Sequence, residues 1–123
     1  MGNQYKLTLS NQTLYREVDL TDDMDSVTIG TAAGCDVRLR KELFFDTFEL
    51  QLTRRGDKWE IICSESVYIS VDQVRRLMVR ELSHGDHMQL LYRSTDNELL
   101  TIDFEIDFEL SLIHISEPTR RTP

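Results

Sequence analysis

From Tyr5 to Phe108 apolar side chains return at every second position, and that alternation restricts the chain to extended strands with one face buried. Tyr5, Leu7 and Leu9 set the pattern, and Val18 with Leu20, Val27 with Ile29, and Val37 with Leu39 repeat it. It continues through Phe48, Leu50 and Leu52, then Trp59 and Ile61, then Val67, Ile69 and Val71. Met88, Leu90 and Tyr92 follow, and a last run takes in Leu100, Ile102, Phe104, Ile106 and Phe108. Turn-forming clusters separate the runs: Ser10-Asn11-Gln12, Asp22-Asp23, Ala33-Gly34, Arg55-Gly56-Asp57, His84-Gly85-Asp86 and Ser94 to Asn97. Short strands at this spacing predict an all-β fold, a sandwich or barrel of about ten to eleven short antiparallel strands.

One segment fits two readings. Ser70-Val71-Asp72-Gln73 has the form of a capping box, and Val71, Val74, Leu77 and Met78 fall at helical spacing. A lone helix between strands needs a packing layer of its own, so the neighbouring runs favour extended chain over 70–82. The last run places Asp103, Glu105, Asp107 and Glu109 on the face opposite its apolar residues, a solvated face over a core face. A calcium site there would need a carbonyl-rich loop that the sequence lacks.

Charge and composition narrow the function. Lys and Arg number 14 against 22 Asp and Glu, a formal net charge of −8, which excludes nucleic acid as the direct partner because phosphate contacts need clustered cations. No window approaches the roughly 20 apolar residues of a membrane span, and no basic-then-apolar leader opens the chain. Direct membrane insertion is therefore not expected. Cys35 and Cys63 lack CxxC spacing, which suits buried thiols in a reducing cytoplasm. His84 and His87 have no third ligand near them and read as turn polar groups, not a metal site. The stretch Gly30-Thr31-Ala32-Ala33-Gly34 has no P-loop lysine, and no cofactor motif is present. Asp46 and Glu49 are a carboxylate pair at i and i+3, which diverge on a strand, so acid–base chemistry would need a loop between them. No catalytic residue is assigned.

The end of the chain, Leu110 to Pro123, breaks the pattern and holds both prolines. Its LSLIHISEPTR string resembles a translated sequencing adapter, so residues 110–123 are expected to be a non-native tail and His114 carries no role. On that reading residues 1–109, with a net charge of −9, form a domain at the N-terminus of a longer protein.

Five stretches in order resemble a forkhead-associated (FHA) domain, a β-sandwich that reads phosphothreonine. They are Val27 to Thr31 followed by Cys35 to Leu39; Phe45 to Leu52; Gly56-Asp57-Lys58-Trp59-Glu60-Ile61; Val67-Tyr68-Ile69; and Leu82 to Leu90 with its Gly85-Asp86 pair. Gly30, Trp59, Gly85 and Asp86 are the expected structural positions, Gly85-Asp86 as a hairpin turn and Trp59 as a core anchor. The family holds phosphothreonine with an Arg after the Ile-Gly pair, a Ser, a structural His and an Asn. Those positions here are Thr31, Asp46, Glu49 and Glu65. A phosphate about 4 Å from one carboxylate meets repulsion of roughly 1 to 4 kcal/mol at surface-like dielectric. The resemblance therefore implies a non-catalytic protein-interaction module without the phosphothreonine anchor. The alternative is a working phosphothreonine-peptide reader in a signalling protein that uses Arg38, Arg40 or Lys41 as loop contacts. A degenerate domain of this kind also resembles the cytoplasmic N-terminal module of the membrane-anchored FtsK/SpoIIIE-type ATPase of type VII secretion. Its expected partners are a protein with a basic patch or other secretion-system subunits.

Overall fold

The computed structural model describes residues 4–72 and 74–107. The chain is almost entirely strand: β1 (Gln4–Ser10), β2 (Tyr15–Thr21), β3 (Ser26–Gly30), β4 (Val37–Arg38), β5 (Glu49–Arg55), β6 (Lys58–Cys63), β7 (Val67–Ser70), β8 (Val79–Glu81), β9 (Asp86–Tyr92) and β10 (Glu98–Asp107). A 3₁₀ turn, Lys41–Leu43, lies between β4 and β5. One sheet has the order β2-β1-β10-β9-β7 and the other β4-β3-β5-β6-β8. All pairings between these strands are antiparallel except the short β3–β4 pair, which is parallel. The expectation of an antiparallel sandwich holds with that one exception. The exception has a simple cause: the chain leaves β3, loops through 31–36 and comes back beside it in the same direction.

Burial of alternate residues drives the packing. In β1, Tyr5, Leu7 and Leu9 are buried; in β10, Leu100, Ile102 and Phe104 are buried while Asp103 and Glu105 face outward. The two inner faces close on each other around Trp59, which is 1% exposed and meets Tyr5 edge-on at 6.3 Å. Tyr5 stacks in turn on Phe104 at 6.0 Å. Each fully buried Leu, Ile or Phe contributes about 1.5–3 kcal/mol of transfer free energy, so these inner faces dominate the stability. Trp59 Nε1, like Thr53 Oγ1 and Arg80 Nε, is buried without a hydrogen-bond partner among the described residues, a cost that at Trp59 the buried ring outweighs.

The segment that fits two readings takes the extended one, since the described residues of 71–78 form no helix. Three other expectations change: the side of Val71, the Gly85-Asp86 turn and the start of β5. Asp72 Oδ1 does accept the amides of Val74 and Arg75, as a cap would, at 3.0 Å each. The chain then turns back, however, and Ile69 and Leu77 exchange two backbone hydrogen bonds of 2.8 and 2.9 Å. Pairing to β7 and β6 gives this backbone partners that a helix packed on nothing would lack, and Val71, expected inward, is 39% exposed. Gly85-Asp86 does not make a hairpin either. β8 lies in one sheet and β9 in the other, so the turn carries the chain across the sandwich. Gly85 takes the left-handed region (φ +86°) there, and Asp86 Oδ2 accepts the Ser83 amide at 2.8 Å. Finally, β5 begins at Glu49, so Phe45 to Phe48 belong to the preceding loop. Phe108, Glu109 and the tail at 110–123 lie outside the described residues. Among the described residues no helix is long and apolar enough to cross a membrane.

Gly30 is required by close approach. A Cβ there would lie 2.4 Å from the Phe48 carbonyl oxygen and 2.9 Å from Glu49 Cα, both backbone atoms that cannot move aside, whereas a Cβ at Gly34 would meet nothing within 4 Å. Gly30→Ala is expected to cost about 1–3 kcal/mol, and Gly34→Ala less than about 0.5 kcal/mol, in urea unfolding of the two variants side by side.

Candidate functional site

At one end of the sandwich the loops 31–36, 39–48, 64–66 and 93–97 meet, and this end collects the positions singled out from the sequence. Thr31, directly after β3, is 3% exposed. Its amide donates to the Phe48 carbonyl at 3.2 Å, and its hydroxyl oxygen accepts the Phe48 amide at 3.2 Å. The Thr31 side chain is thus spent on holding the loop before β5 against the end of β3. The fit follows from Gly30: without a Cβ at 30 the two backbones come close enough for a short side chain at 31 to bridge them.

Asp46, Glu49 and Glu65 are exposed around that staple. The Glu49 amide donates to Ser64 Oγ at 3.1 Å, and Ser66 Oγ donates to the Thr47 carbonyl at 3.1 Å. These two serines flank Glu65 and bring it beside the Asp46 loop. Arg93 donates to the Glu65 carbonyl at 3.4 Å through Nη1. Asp46 Oδ1 accepts the amide of its own neighbour Thr47 at 2.8 Å, so that carboxylate is engaged within its loop. The loop that carbon-chain geometry would require between Asp46 and Glu49 is present, yet their carboxylates are not joined by any hydrogen bond among the described residues.

Tyr92 organises this end. Its hydroxyl accepts the Asp46 amide at 2.9 Å and donates to the Asp46 carbonyl at 3.0 Å, pinning the loop by both backbone groups of one residue. The neighbouring Phe45 packs edge-on against the Tyr92 ring at 5.9 Å, and Phe44 turns inward against Phe48 at 5.0 Å. Phe45 nevertheless stays 81% exposed, beside the partly exposed Leu43. Neither Phe45 nor Tyr92 was singled out from the sequence as a site residue. The available signal was the Phe44-Phe45 doublet, since two consecutive residues of extended chain cannot both face one core.

Arg38, Arg40 and Lys41 line a shallow hollow of about 240 Å³ with Leu39 and Glu42, at the β4 edge. None of the three forms an ion pair among the described residues. Elsewhere, His84 Nδ1 accepts the Ile106 amide at 2.9 Å and His87 Nδ1 meets Asp103 Oδ1 at 2.5 Å, so each histidine is bonded to a different residue of β10. Arg80 and Asp86 form an ion pair of 3.2 Å beneath the Gly85 turn. Burial pushes the Cys63 thiol up to about 12, and burial with the Glu49 charge raises that of Cys35. Both are thereby kept from the nucleophilic thiolate at neutral pH.

No family model and no curated protein matches the sequence. Solved structures do match the fold. The FHA-1 domain of Mycobacterium tuberculosis Rv1747 aligns at a TM-score of 0.55 and 19% identity, over 85% of this chain and 98% of that one. The Synechocystis protein Slr1951 aligns at 0.59 and 17% identity, over 89% and 100%. The FHA domain of yeast Dun1, solved with a doubly phosphorylated peptide, aligns at 0.54 and 16% identity, over 98% and 88%. The fold is that of FHA domains.

Two outcomes follow from this geometry. Tyr92→Phe removes both bonds to Asp46 and is expected to cost about 1 kcal/mol and to speed hydrogen exchange selectively in 39–48. Because folded Cys63 holds its proton to about pH 12 while an unfolded thiol releases it near 9, its contribution to stability is full below about pH 9 and falls between 9 and 12. Cys63→Ala is expected to flatten that part of the stability profile, measured by urea unfolding at stepped pH.

Proposed function

We propose that this domain is a non-catalytic protein-interaction module whose loop end docks a partner without reading phosphothreonine. The observation that carries this reading is Thr31. It stands where the resemblance puts the phosphate-binding arginine, but it is buried and bonded to the Phe48 backbone. Asp46, Glu49 and Glu65 surround the same end with carboxylates. A phosphate brought there meets repulsion where the family supplies attraction.

In place of a charged anchor the loop end offers Phe45, an exposed aromatic ring on a segment pinned by Tyr92. Aromatic residues dominate interface energies, and a pinned loop loses little entropy on binding. A partner with a basic patch suits the overall net charge, by steering the encounter more than by adding affinity. The raised thiols of Cys35 and Cys63 support the non-catalytic reading.

The second reading, a phosphothreonine-peptide reader, rests on Arg38, Arg40 and Lys41, which line the β4 hollow. It also draws on the phosphorylated peptide bound by the yeast Dun1 domain. Titrating phosphothreonine peptides and their unphosphorylated forms separates the two. Equal, weak binding is expected. A phosphate preference of more than about tenfold that vanishes in Arg38→Ala or Arg40→Ala would establish the second reading instead.

The finer assignment, the cytoplasmic N-terminal module of an FtsK/SpoIIIE-type type VII secretion ATPase, is supported by the sequence resemblance. Reading the gene past the codon for Glu109 tests it: membrane spans followed by P-loop domains are expected, and a stop or unrelated sequence there would remove it.

A further inference from the structure

The two sheets have four edges, and three of them are either very short or covered. β4 is two residues long and β8 three. The β7 edge is covered by the returning chain, through the paired backbone bonds of Ile69 and Leu77. The fourth edge is β2, Tyr15–Thr21. It pairs with β1 along its whole length on one side and with nothing among the described residues on the other. It has no proline, no lysine and no bulge. A regular seven-residue strand with a free row of backbone donors and acceptors is a template for an added strand.

We infer that the β2 edge takes up an extended protein segment in which cationic and apolar residues alternate. Charge selects this occupant. Tyr15, Glu17 and Asp19 lie on the outer face of β2, and Tyr15 is 67% exposed. Asp103 and Glu105 of β10 share that face; Lys6 lies on it 3.8 Å from Glu17, His87 is bonded to Asp103, and Arg76 stands over Tyr68 at the far edge of the sheet, ion-paired with Asp96. An added strand therefore sets every second side chain opposite Glu17 and Asp19, where Lys or Arg is favoured. Its intervening side chains lie alongside Arg16, which is exposed, and Val18 and Leu20, which are buried in the sandwich.

A second copy of the chain is disfavoured by the same charges. In an antiparallel β2–β2 pair that keeps both outer faces on one side, three registers pair five residues or more of the strand. They set Glu17 against Glu17, Glu17 against Asp19, or Asp19 against Asp19. Like charges directly opposite each other destabilise a strand pair, so the edge is closed to itself while open to a cationic strand. This surface is separate from the Phe45 loop end, and the inference does not depend on what that end binds.

The test uses the full chain, isotope-labelled for NMR, and two peptides as long as β2, one alternating Lys with Val and one of the same composition with the lysines grouped. The alternating peptide is expected to shift β2 resonances, to protect amides along the free edge from exchange, and to bind about tenfold more tightly than the grouped one. Glu17→Lys combined with Asp19→Lys, both exposed positions, is expected to switch the preference to a peptide alternating Glu with Val. Phe45→Ala is expected to leave binding intact. Equal binding of the two lysine peptides, shifts mapping to the loop end, loss of binding in Phe45→Ala, or insensitivity to the charge reversal would each overturn the inference. So would sedimentation of the chain alone as a dimer protected along β2, which would assign the edge to a second copy.

Discussion

Two five-stranded sheets have to cover each other's inner faces, and everything else in this molecule is arranged around that requirement. Trp59, Tyr5 and Phe104 fill the space between them in edge-on and stacked contacts, with aliphatic residues of both sheets packed around. Such a core leaves no room for chemistry inside it. Polar function is left to the loop ends, the strand edges and the outer sheet faces, where polar and charged groups meet water.

The loop end is held by bonds that run between strand ends and loops. The close approach at Gly30 brings β3 against the loop before β5, and Thr31 uses that closeness to bond the Phe48 backbone. Ser64 and Ser66 tie in the next loop, and Tyr92 pins the Asp46 backbone from the other sheet. These bonds hold the loops in one arrangement without a ligand. What the arrangement presents is an exposed aromatic ring and a set of exposed carboxylates.

Some of this was readable in advance. The period of two located the strands and the inward residues, because a strand buried on one face must alternate, and the turn clusters separated them. Trp59 was legible as a core anchor because it falls in phase with Ile61. The site was legible as a set of positions but not as a geometry. Thr31 could be seen to lack a charge, yet nothing near it in the sequence showed that its hydroxyl bonds residue 48. Tyr92 read as one more inward residue of its strand. Its hydroxyl reaches Asp46, 46 residues away, and only packing brings them together.

The segments whose local signals point away from the outcome share one cause. In 71–78 the local signals, a cap at Asp72 and helical spacing, are real, and the cap bonds do form. Extended pairing with Ile69 and with β6 prevails because it supplies backbone partners and cover from outside the segment. Gly85-Asp86 has the residues of a hairpin, but which sheet each flanking strand joins is not a local property. The alternation of apolar residues therefore determined the strands, the buried face of each and the sandwich class, since burial of one face acts residue by residue along the chain. Strand order, the open edge at β2 and the spent side chain of Thr31 were decided by the tertiary structure alone, because each depends on which distant backbone groups come within hydrogen-bonding reach.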